Sequence, residues 1–445
     1  MTQTPHITVL GGGPAGLAAG AAARALDLGT TLFEADRVVG GTCRTIEVDG
    51  FRFDTGAHRV HDKDPAITEW LTRELGDRLH QVDAPSRIWD DGRWLDFPIN
   101  APGLVRHLGL GGSCLASVDL AYRRVKARKA ADSFLDFALR AYGRPVAERF
   151  LLNYSEKLWG EAPERLSTEI AGSRLAGLDL RTVLAETLSR RRRNHRHVEG
   201  RFLYPRGGIG AVPTALATTC GRENIRTDSP IQAMEHDGER ITAVRTNGSD
   251  PIAVDRVVSS LPLSTVAGIL DPQPPAAVIE AAGRLRFRQV ILVALFVDRP
   301  SLTDAATVYF PDRRFGFTRL CEPRNRCATM APKGRTSVVV EIPCFRIDPV
   351  WRASDDELVS MARKQLAGAG LFQEHEVPGG VVRRQRNAYP VLETGISDAV
   401  SSLRKYLRRF SNLSLVGRNG TFTYGWIHDM IAGGRRAVDS IAASA

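Results

Sequence analysis

The chain has 445 residues, 43% of them hydrophobic and 25% charged, and its formal net charge is +10. This length exceeds what a single hydrophobic core usually supports, so we expect two or three domains. The longest unbroken apolar run, Val290–Val297, is too short to cross a bilayer, the opening residues lack a signal-peptide pattern, and nothing resembles a nucleic-acid-binding motif. We therefore expect a cytoplasmic protein without an integral membrane segment or a nucleic-acid partner.

A strand, a glycine-rich turn and a helix open the chain. Ile7–Leu10 is a short apolar run with β-branched residues, typical of a buried strand, and the alanine-rich stretch Leu17–Leu28 is typical of a helix. Between them, Gly11 permits a tight turn, Gly13 lets a pyrophosphate approach the backbone, and Gly16 lets helix and strand pack closely. The glycine spacing alone is a weak signal, but its position between strand and helix is typical of a dinucleotide-binding turn.

The residues beside this turn complete the predicted dinucleotide site. Pro14 and Ala15 lie at the start of the helix, whose free N–H groups and positive dipole end favour phosphates. A second predicted strand, Thr30–Phe33, ends at Glu34, where a carboxylate accepts hydrogen bonds from a ribose diol. Ala35 follows Glu34 and belongs to the same predicted contact. Strand, turn, helix, strand and acidic residue occur in register, which predicts a dinucleotide site.

A second glycine pair favours FAD over NAD. Gly40–Thr45 reads GGTCRT, and Gly50–Gly56 reads GFRFDTG. This pattern resembles that of the large flavoprotein group containing amine oxidases, protoporphyrinogen oxidases and UDP-galactopyranose mutases. The resemblance implies an α/β fold, in which a Rossmann-like FAD-binding domain of the glutathione-reductase-2 type carries an inserted α+β substrate domain. The FAD contacts that it implies in this part of the chain are Gly41, Thr42, Arg44, Gly56, Ala57 and His58.

The middle of the chain alternates between helical and strand patterns. Helical patterns cover Asp64–Leu79, Val118–Tyr142 and Pro145–Lys157, and strand patterns cover Phe287–Val297, Ala306–Phe310 and Thr336–Glu341. We expect three regions: an FAD-binding domain formed by 1–63, 200–275 and 405–445, a helical substrate or cap region at 64–199, and an antiparallel-sheet substrate domain at 276–404.

The C-terminal part is expected to return to the cofactor. Leu413–Val416 is typical of a buried strand, and Met430–Ala442 is typical of a closing helix whose N-terminus faces the flavin ring. Ile225–Ile231 and Asp255–Pro262 fit strand pieces on the adenine side. The FAD contacts that the resemblance implies here are Gly417, Arg418, Trp426, Ile427 and, against the adenine, Ile231.

Cysteine placement argues against a metal site and against covalent flavin attachment. The six cysteines are scattered and lack the paired spacing of a zinc site or a redox CxxC motif. None lies in the last hundred residues, where a flavin-linked thiol would be expected. We therefore expect reduced thiols, no metal, and FAD that is held non-covalently.

Two histidines follow the FAD segment. His58 and His61 occur in the stretch GAHRVH, where the chain should pass the isoalloxazine. A metal site would need more ligands, and only Asp62 and Asp64 are near; an ordinary polar turn is the other alternative. We favour two histidines that position or shuttle protons at the flavin.

Motifs along the chain resemble those of UDP-galactopyranose mutases, in that family's order. The two histidines match its G-[PA]-H-x-x-H stretch, and the other resembling segments are Asp96–Asn100, Tyr154–Gly160, Thr318–Glu322, Tyr389–Pro390 and Gly417–Tyr424. The substrate contacts implied are Asn100, Tyr154, Trp159, Arg174, Arg319, Tyr389 and Tyr424. In that family the matching Tyr154 and Trp159 house the nucleotide base, and the matching arginine and tyrosines hold the diphosphate.

The resemblance implies a flavoenzyme that acts on a nucleotide-activated sugar, and the small-molecule partner that it implies is a nucleotide diphosphate sugar. Reduced flavin would attack the anomeric carbon through N5 as the nucleotide diphosphate leaves, and the sugar ring would open and reclose through a different hydroxyl. NAD(P)H is a candidate external reductant, and a homodimer is a candidate assembly. The sequence departs from the mutase pattern where Gly425 and Trp426 stand in place of Y-D-M. The catalytic residues implied are His58, His61, Arg319, Tyr389 and Tyr424.

The alternative is a conventional FAD-dependent oxidoreductase, similar to protoporphyrinogen oxidase or amine oxidase, that oxidises a sugar, alcohol or amine. Tyr204–Gly210 resembles the YPRxGxG stretch of protoporphyrinogen-oxidase-like bacterial proteins. Amine oxidases typically place a lysine near flavin N5, but Val290–Val297 contains none and Lys333 lies in an apparent turn. A non-enzymatic flavin-binding protein gains no support from the sequence.

One arginine cluster has two interpretations. Arg190–Arg193, followed by His195, Arg196 and His197, lies in a polar stretch without apolar periodicity. A solvated loop is favoured over an anion clamp. The overall positive charge likewise indicates either an anionic partner or an arginine-rich composition without functional meaning.

Overall fold

The computed structural model describes residues 4–99, 101–126, 131–171, 201–248 and 250–444. Three predictions lie outside these residues, namely the substrate contacts at Asn100 and Arg174 and the role of the cluster Arg190–Arg193. They stay predictions.

The described strands and helices are numbered in chain order. The strands are β1 His6–Leu10, β2 Gly29–Phe33, β3 Thr45–Val48, β4 Phe51–Asp54, β5 Leu79–Asp83, β6 Ser86–Asp90, β7 Arg93–Phe97, β8 Arg201–Pro205, β9 Ile225–Arg226, β10 Ala233–His236, β11 Ile241–Arg245, β12 Ile252–Ala253, β13 Arg256–Ser259, β14 Leu270–Asp271, β15 Phe287–Val297, β16 Thr307–Tyr309, β17 Arg319–Cys321, β18 Thr336–Cys344, β19 Gly379–Pro390 and β20 Leu413–Leu415. The helices are α1 Pro14–Ala25, α2 Pro65–Leu75, α3 Ala101–Lys126, α4 Phe134–Tyr142, α5 Arg144–Val146, α6 Asn153–Trp159, α7 Ala211–Cys220, α8 Leu263–Gly268, α9 Ala276–Gly283, α10 Pro349–Arg352, α11 Asp355–Gly368, α12 Ile396–Leu407, α13 Gly417–Gly420 and α14 Ile427–Ala443.

Five strands form a parallel sheet in the order β20–β13–β1–β2–β9. All four residues of Ile7–Leu10 are buried, as a strand covered on both faces requires. The predicted α/β class with its Rossmann-like sheet is confirmed. The two ends of the chain meet here, because β20 pairs with β13 and β13 pairs with β1.

Helix α1 begins and ends three residues earlier than the predicted Leu17–Leu28. Pro14 takes the first helical position, where its fixed φ suits the helix and its missing N–H costs nothing. Asp27 has a φ of 55°, which a continuing helix does not allow. The early start places the N-terminus of α1 directly after the glycine turn. The closing helix also begins earlier than the predicted Met430, at Ile427.

A seven-stranded mixed sheet has the order β19–β15–β18–β17–β16–β6–β7. The predicted strand Phe287–Val297 is confirmed over its whole length, paired antiparallel on both sides. Strands β6 and β7 come from the segment 64–199, which we expected to be helical. Asp91 and Gly92 connect these strands with φ values of 50° and 76°, the positive pair that a two-residue hairpin turn requires. That turn signal, D-G between two apolar runs, was present in the sequence.

The helical predictions in 64–199 need shorter bounds. The predicted helix Asp64–Leu79 ends at Leu75. Gly76, with a φ of 51°, begins a 3-10 turn that extends to Arg78, and Leu79 starts β5. The predicted Val118–Tyr142 contains the end of α3 and, after Ser133 caps a new N-terminus, α4. The predicted Pro145–Lys157 is covered by α5, a π-helical segment and α6. Among the described residues, no helix is long and apolar enough to span a membrane.

Candidate active site

The three glycines of the N-terminal turn have different surroundings. Gly11 has a φ of +96°, and a Cβ there would lie 2.5 Å from the Ser260 hydroxyl oxygen. A Cβ on Gly16 would overlap the carbonyl oxygen of Gly11, so this residue permits the close packing of strand and helix. A Cβ on Gly13 would have no neighbour within 4 Å. Gly13 therefore leaves the backbone accessible to a ligand, whereas Gly11 and Gly16 shape the turn.

A cavity of about 330 Å³, here called the cofactor cavity, extends from this turn to the N-terminus of α14. Its size lies at the lower end of the range for ligand pockets in proteins. Gly16 is the predicted cofactor residue that does not line it, because it packs inside the turn. The predicted cofactor residues that do line it are Gly11, Gly13, Pro14, Ala15, Glu34, Ala35, Gly41, Thr42, Arg44, Gly56, Ala57, His58, Ile231, Gly417, Arg418, Trp426 and Ile427.

The acidic end of the cofactor cavity is held rigid by backbone hydrogen bonds. Glu34 is buried, and its carboxylate accepts hydrogen bonds from the backbone N–H of Gly12 at 2.7 Å and of Asp36 at 2.9 Å. Each carboxylate oxygen keeps a second lone pair for a ribose hydroxyl. Arg44 forms an ion pair with Asp36 at 2.8 Å, and its buried Nε has no hydrogen-bond partner among the described residues. This donor and the exposed backbone at Gly13 fit a dinucleotide such as FAD.

The opposite end of the cofactor cavity is built from the C-terminal part of the chain. A Cβ on Gly417 would lie 3.2 Å from the Ala15 side chain, so the turn after β20 packs against the start of α1. The Arg418 guanidinium donates to the Thr42 hydroxyl at 3.2 Å. The N-terminus of α14 follows at Ile427, where its positive dipole end meets the cavity.

His58 lies in the cofactor cavity as a neutral imidazole. Burial, together with the nearby Arg418 guanidinium, lowers the pKa of His58 from 6.5 to about 3. Its Nε2 donates a hydrogen bond to the Thr42 carbonyl at 2.6 Å. That bond fixes the tautomer and leaves Nδ1 as an acceptor. His58 can thus orient a donor at the cofactor, whereas service as a proton donor at neutral pH is disfavoured.

A second cavity of about 200 Å³, here called the substrate cavity, adjoins the first. Ala57, Arg59, Arg319 and Trp426 line both cavities. The substrate cavity also contains the predicted residues His61, Tyr154 and Trp159, whereas Tyr389 and Tyr424 line the cofactor cavity.

Aromatic rings connect the two cavities. The centroid of the Trp159 ring lies 6.1 Å from that of Tyr389 and 5.8 Å from that of Tyr424, both in edge-to-face geometry. Deeper in the substrate cavity, Tyr154 meets Tyr309 edge to face at 5.6 Å. Such pairs hold the rings in fixed orientations and add stability beyond the buried area. The structure therefore brings together the predicted aromatic substrate residues from α6, β19 and the C-terminal segment.

Arg319 stands at the junction of the cavities as half of a buried ion pair. Its guanidinium lies 2.6 Å from the Glu341 carboxylate on the neighbouring strand β18, and it donates to the Tyr389 hydroxyl at 2.9 Å. Burial alone would lower the pKa of Arg319, but the Glu341 carboxylate outweighs it and holds the pKa well above its ordinary value. The pair as a whole has little net charge.

Two residues of this site escaped the sequence analysis. Arg59 lies between the two motif histidines and lines both cavities. Tyr309, inside the predicted strand Ala306–Phe310, contacts both Tyr154 and Phe97. The signal for Arg59 was a cation within the glycine–histidine stretch, but only the structure shows that no carboxylate accompanies it among the described residues.

His61 is buried in the substrate cavity. Its ring meets the Trp426 ring edge to face, with centroids 4.7 Å apart. The Lys63 ammonium lies 4.6 Å from the centroid of the same Trp426 ring. The position of His61 beside Trp426, which lines both cavities, fits a positioning role. No group of three or more metal-ligating side chains occurs in the described part of the chain.

A family model described as flavin containing amine oxidoreductase matches residues 14–442. The chain belongs to this family. It is 23% identical to a zeta-carotene-forming phytoene desaturase of Myxococcus xanthus, over 83% of this chain and 78% of that protein. A solved structure of reduced UDP-galactopyranose mutase superposes with a TM-score of 0.87 at 20% identity, covering 100% of this chain and 95% of that one.

A solved putative protoporphyrinogen oxidase from Exiguobacterium sp. 255-15 has a TM-score of 0.80 at 20% identity, and all of both chains is covered. These structural likenesses show the fold. The family membership, together with the cofactor cavity, identifies the protein as an FAD-dependent flavoenzyme.

Proposed function

We propose that this flavoenzyme acts on a nucleotide-activated sugar, in the manner of UDP-galactopyranose mutases. The observation that supports this most directly is the charge of the substrate cavity. Three cations, Arg59, Lys63 and Arg319, line it, and no carboxylate does so among the described residues. Glu341, outside this lining, balances Arg319, so the excess positive charge comes from the other two. A cavity of this kind favours an anionic ligand, because transfer of a charged group into a protein interior is costly unless an opposite charge is present.

The walls of the same cavity suit a flat base. Tyr154, Tyr309 and Trp159 offer ring surfaces within a mostly apolar lining. Aromatic side chains recognise planar ligands by stacking or edge contacts. We assign Tyr154 and Trp159 to the nucleotide base, with Tyr309 as the additional surface.

The junction of the cavities suits the diphosphate. The guanidinium of Arg319 is oriented by Glu341 and by the Tyr389 hydroxyl, so it needs little reorganisation to meet a phosphate oxygen. Tyr424 lies beside Tyr389, with ring centroids 6.4 Å apart, and offers a further hydroxyl. Both tyrosines are candidate donors to the leaving diphosphate.

The chain's own residues would bind and orient the reactants. FAD, when bound, supplies the nucleophilic or redox chemistry at its ring. His58, whose Nε2 is bonded to the Thr42 carbonyl, would offer Nδ1 as a hydrogen-bond acceptor, and the aromatic lining of the substrate cavity would restrict water. Gly425 and Trp426 occupy the place where the mutase pattern has Y-D-M, and Trp426 lines the cofactor cavity, so an indole would meet bound FAD at this point.

A conventional oxidoreductase is the second candidate. The 23% identical Myxococcus relative is a desaturase, and the substrate cavity has extensive apolar walls. The same three cations disfavour a cationic amine as substrate. An oxidoreductase with this cavity would therefore take an anionic or neutral substrate. NAD(P)H as reductant, a homodimer, the cytoplasmic location and the three-region division remain predictions.

The experiment incubates UDP-sugars with the dithionite-reduced protein and, separately, with the oxidised protein, and compares the isomerisation in the two samples. Reduced-flavin-dependent isomerisation, detected by chromatography of the sugar nucleotides, is the expected result. Release of hydrogen peroxide with a panel of alcohols, sugars and amines, without isomerisation of any UDP-sugar, would replace the proposal by the second candidate.

A further inference from the structure

Arg59 is a buried-site cation whose hydrogen-bond partners in the described part of the chain are neutral. Its Nη2 donates to the Ser86 hydroxyl and to the Thr307 hydroxyl, each at 3.0 Å, and its guanidinium lies 4.7 Å from the centre of the Phe202 ring. No carboxylate lies within ion-pair distance in the described part of the chain. The remaining N–H donors, on Nε and Nη1, have no protein acceptor there either.

The neighbouring buried arginines differ in this respect. Arg319 has Glu341 at 2.6 Å, and Arg326 has Asp54 at 3.7 Å. Burial, with further lowering by Arg326 and Arg319, reduces the pKa of Arg59 to about 10, so the group is still charged at neutral pH. The positive charge that the two cavities share therefore belongs chiefly to Arg59, since the charge of Arg319 is already balanced.

We propose that Arg59, oriented by Ser86 and Thr307, binds an oxyanion of the substrate and supplies the uncompensated charge that Arg319 cannot. This inference rests on the proposed function for the identity of the oxyanion, which is then the nucleotide diphosphate. The motif resemblance assigns no role to this position, because Arg59 falls on one of the unspecified residues between the two histidines.

The hydroxyl partners make Arg59 a prepared site. Ser86 begins β6 and Thr307 begins β16, and the two residues face each other across a parallel pair of strands. Both are buried, so their hydroxyls fix the guanidinium without neutralising it. A guanidinium restrained in this way loses little conformational freedom when an oxyanion binds.

The test uses FAD-saturated protein and three probes: UDP, inorganic pyrophosphate and uridine, measured by isothermal titration calorimetry. For Arg59→Gln, the dissociation constants of UDP and pyrophosphate should rise at least about 30-fold, because a hydrogen bond to a charged group is lost. Uridine, which lacks the diphosphate, should bind as it does to the native protein. Arg59→Lys should recover part of the loss, and Arg73→Gln, an exposed arginine on α2, should have no effect.

Thr307→Val keeps the charge while removing one anchor, so it should weaken pyrophosphate several-fold and serves if Arg59→Gln does not fold. UDP and pyrophosphate affinities that stay within about threefold in Arg59→Gln would overturn the inference, as would a native protein that binds neither probe. A third outcome is that pyrophosphate binding depends on Arg59 while UDP binds no more tightly than pyrophosphate and uridine does not bind. That outcome would keep the oxyanion site and remove the nucleotide-sugar assignment.

Discussion

The cofactor cavity and the substrate cavity lie side by side but are built in different ways. The first uses backbone and glycines from the two ends of the chain, and its cation Arg44 already has the partner Asp36. The second uses side chains from α6, β6, β16 and β17, and its cation Arg59 has hydroxyl partners. The cofactor cavity is therefore specified by local backbone geometry, whereas the ligand preference of the substrate cavity depends on which of its charges are balanced by neighbouring side chains in the folded protein.

The largest expected effect on stability comes from removing one charge of the buried ion pair between Arg319 and Glu341, where the two cavities meet. Glu341→Gln leaves the Arg319 guanidinium buried without its carboxylate, which should reduce the free energy of unfolding by about 3–5 kcal/mol. Urea unfolding of the FAD-loaded protein measures it. The double variant Arg319→Met, Glu341→Met removes both charges and should recover most of the stability while losing UDP binding. Equal stability of Glu341→Gln and the native protein would show that the pair is not needed to balance the junction.

A smaller effect is expected where the cofactor cavity depends on backbone packing. A Cβ at Gly434 would overlap the Ala15 carbonyl oxygen, whereas one at Gly433 would meet nothing within 4 Å. Gly434→Ala should destabilise the protein by about 2 kcal/mol and loosen FAD, because α14 must move away from α1. Gly433→Ala, in the same helix, should be neutral or stabilising by up to about 1 kcal/mol. Thermal unfolding measures the stability of the two variants, and flavin absorbance after gel filtration measures how much FAD each retains. Equal stability and equal FAD retention in the two variants would contradict this packing.

Among the residues that line the cofactor cavity, His58 should contribute most to the pH dependence of folding stability between pH 7 and pH 5. Its pKa is lowered from 6.5 to about 3 in the folded protein, so the unfolded chain binds more protons between these pH values. Folding stability therefore decreases as the pH falls through this interval, by about 2 kcal/mol from this group at pH 5. His58→Gln retains a donor for Thr42 and should show a correspondingly smaller loss between pH 7 and pH 5 in urea unfolding. Identical losses would remove His58 as the cause.

The smallest predicted effect concerns the aromatic wall of the substrate cavity. Tyr309→Leu removes the edge-to-face contact with Tyr154 and one ring surface for a base. Uridine affinity should fall by about 1 kcal/mol, roughly fivefold, with FAD content unchanged. Calorimetric titration measures this change. An unaltered uridine affinity would place the base elsewhere in the cavity.

Sequence reasoning reached the cofactor cavity more completely than the substrate cavity. Short-range patterns in the sequence, each typical of one backbone arrangement, predict the glycine turn, Glu34 and the glycine after the last strand, Gly417. Arg59 and Tyr309 could not be assigned in the same way, because their roles depend on strands that meet only in the folded protein. The hairpin β6–β7 was not predicted, although its Asp91–Gly92 turn could have been recognised, because the helical patterns on either side of it, Asp64–Leu79 and Val118–Tyr142, led us to expect a helical region over 64–199.

The most direct test of the central claim is a titration of FAD-loaded protein with UDP-galactose, in the oxidised and dithionite-reduced states, followed by flavin absorbance. We expect a saturable spectral change that UDP reverses and that uridine reverses at least about tenfold more weakly, because the diphosphate meets the cations of the substrate cavity. No spectral change in either redox state, together with no displacement by UDP, would contradict it.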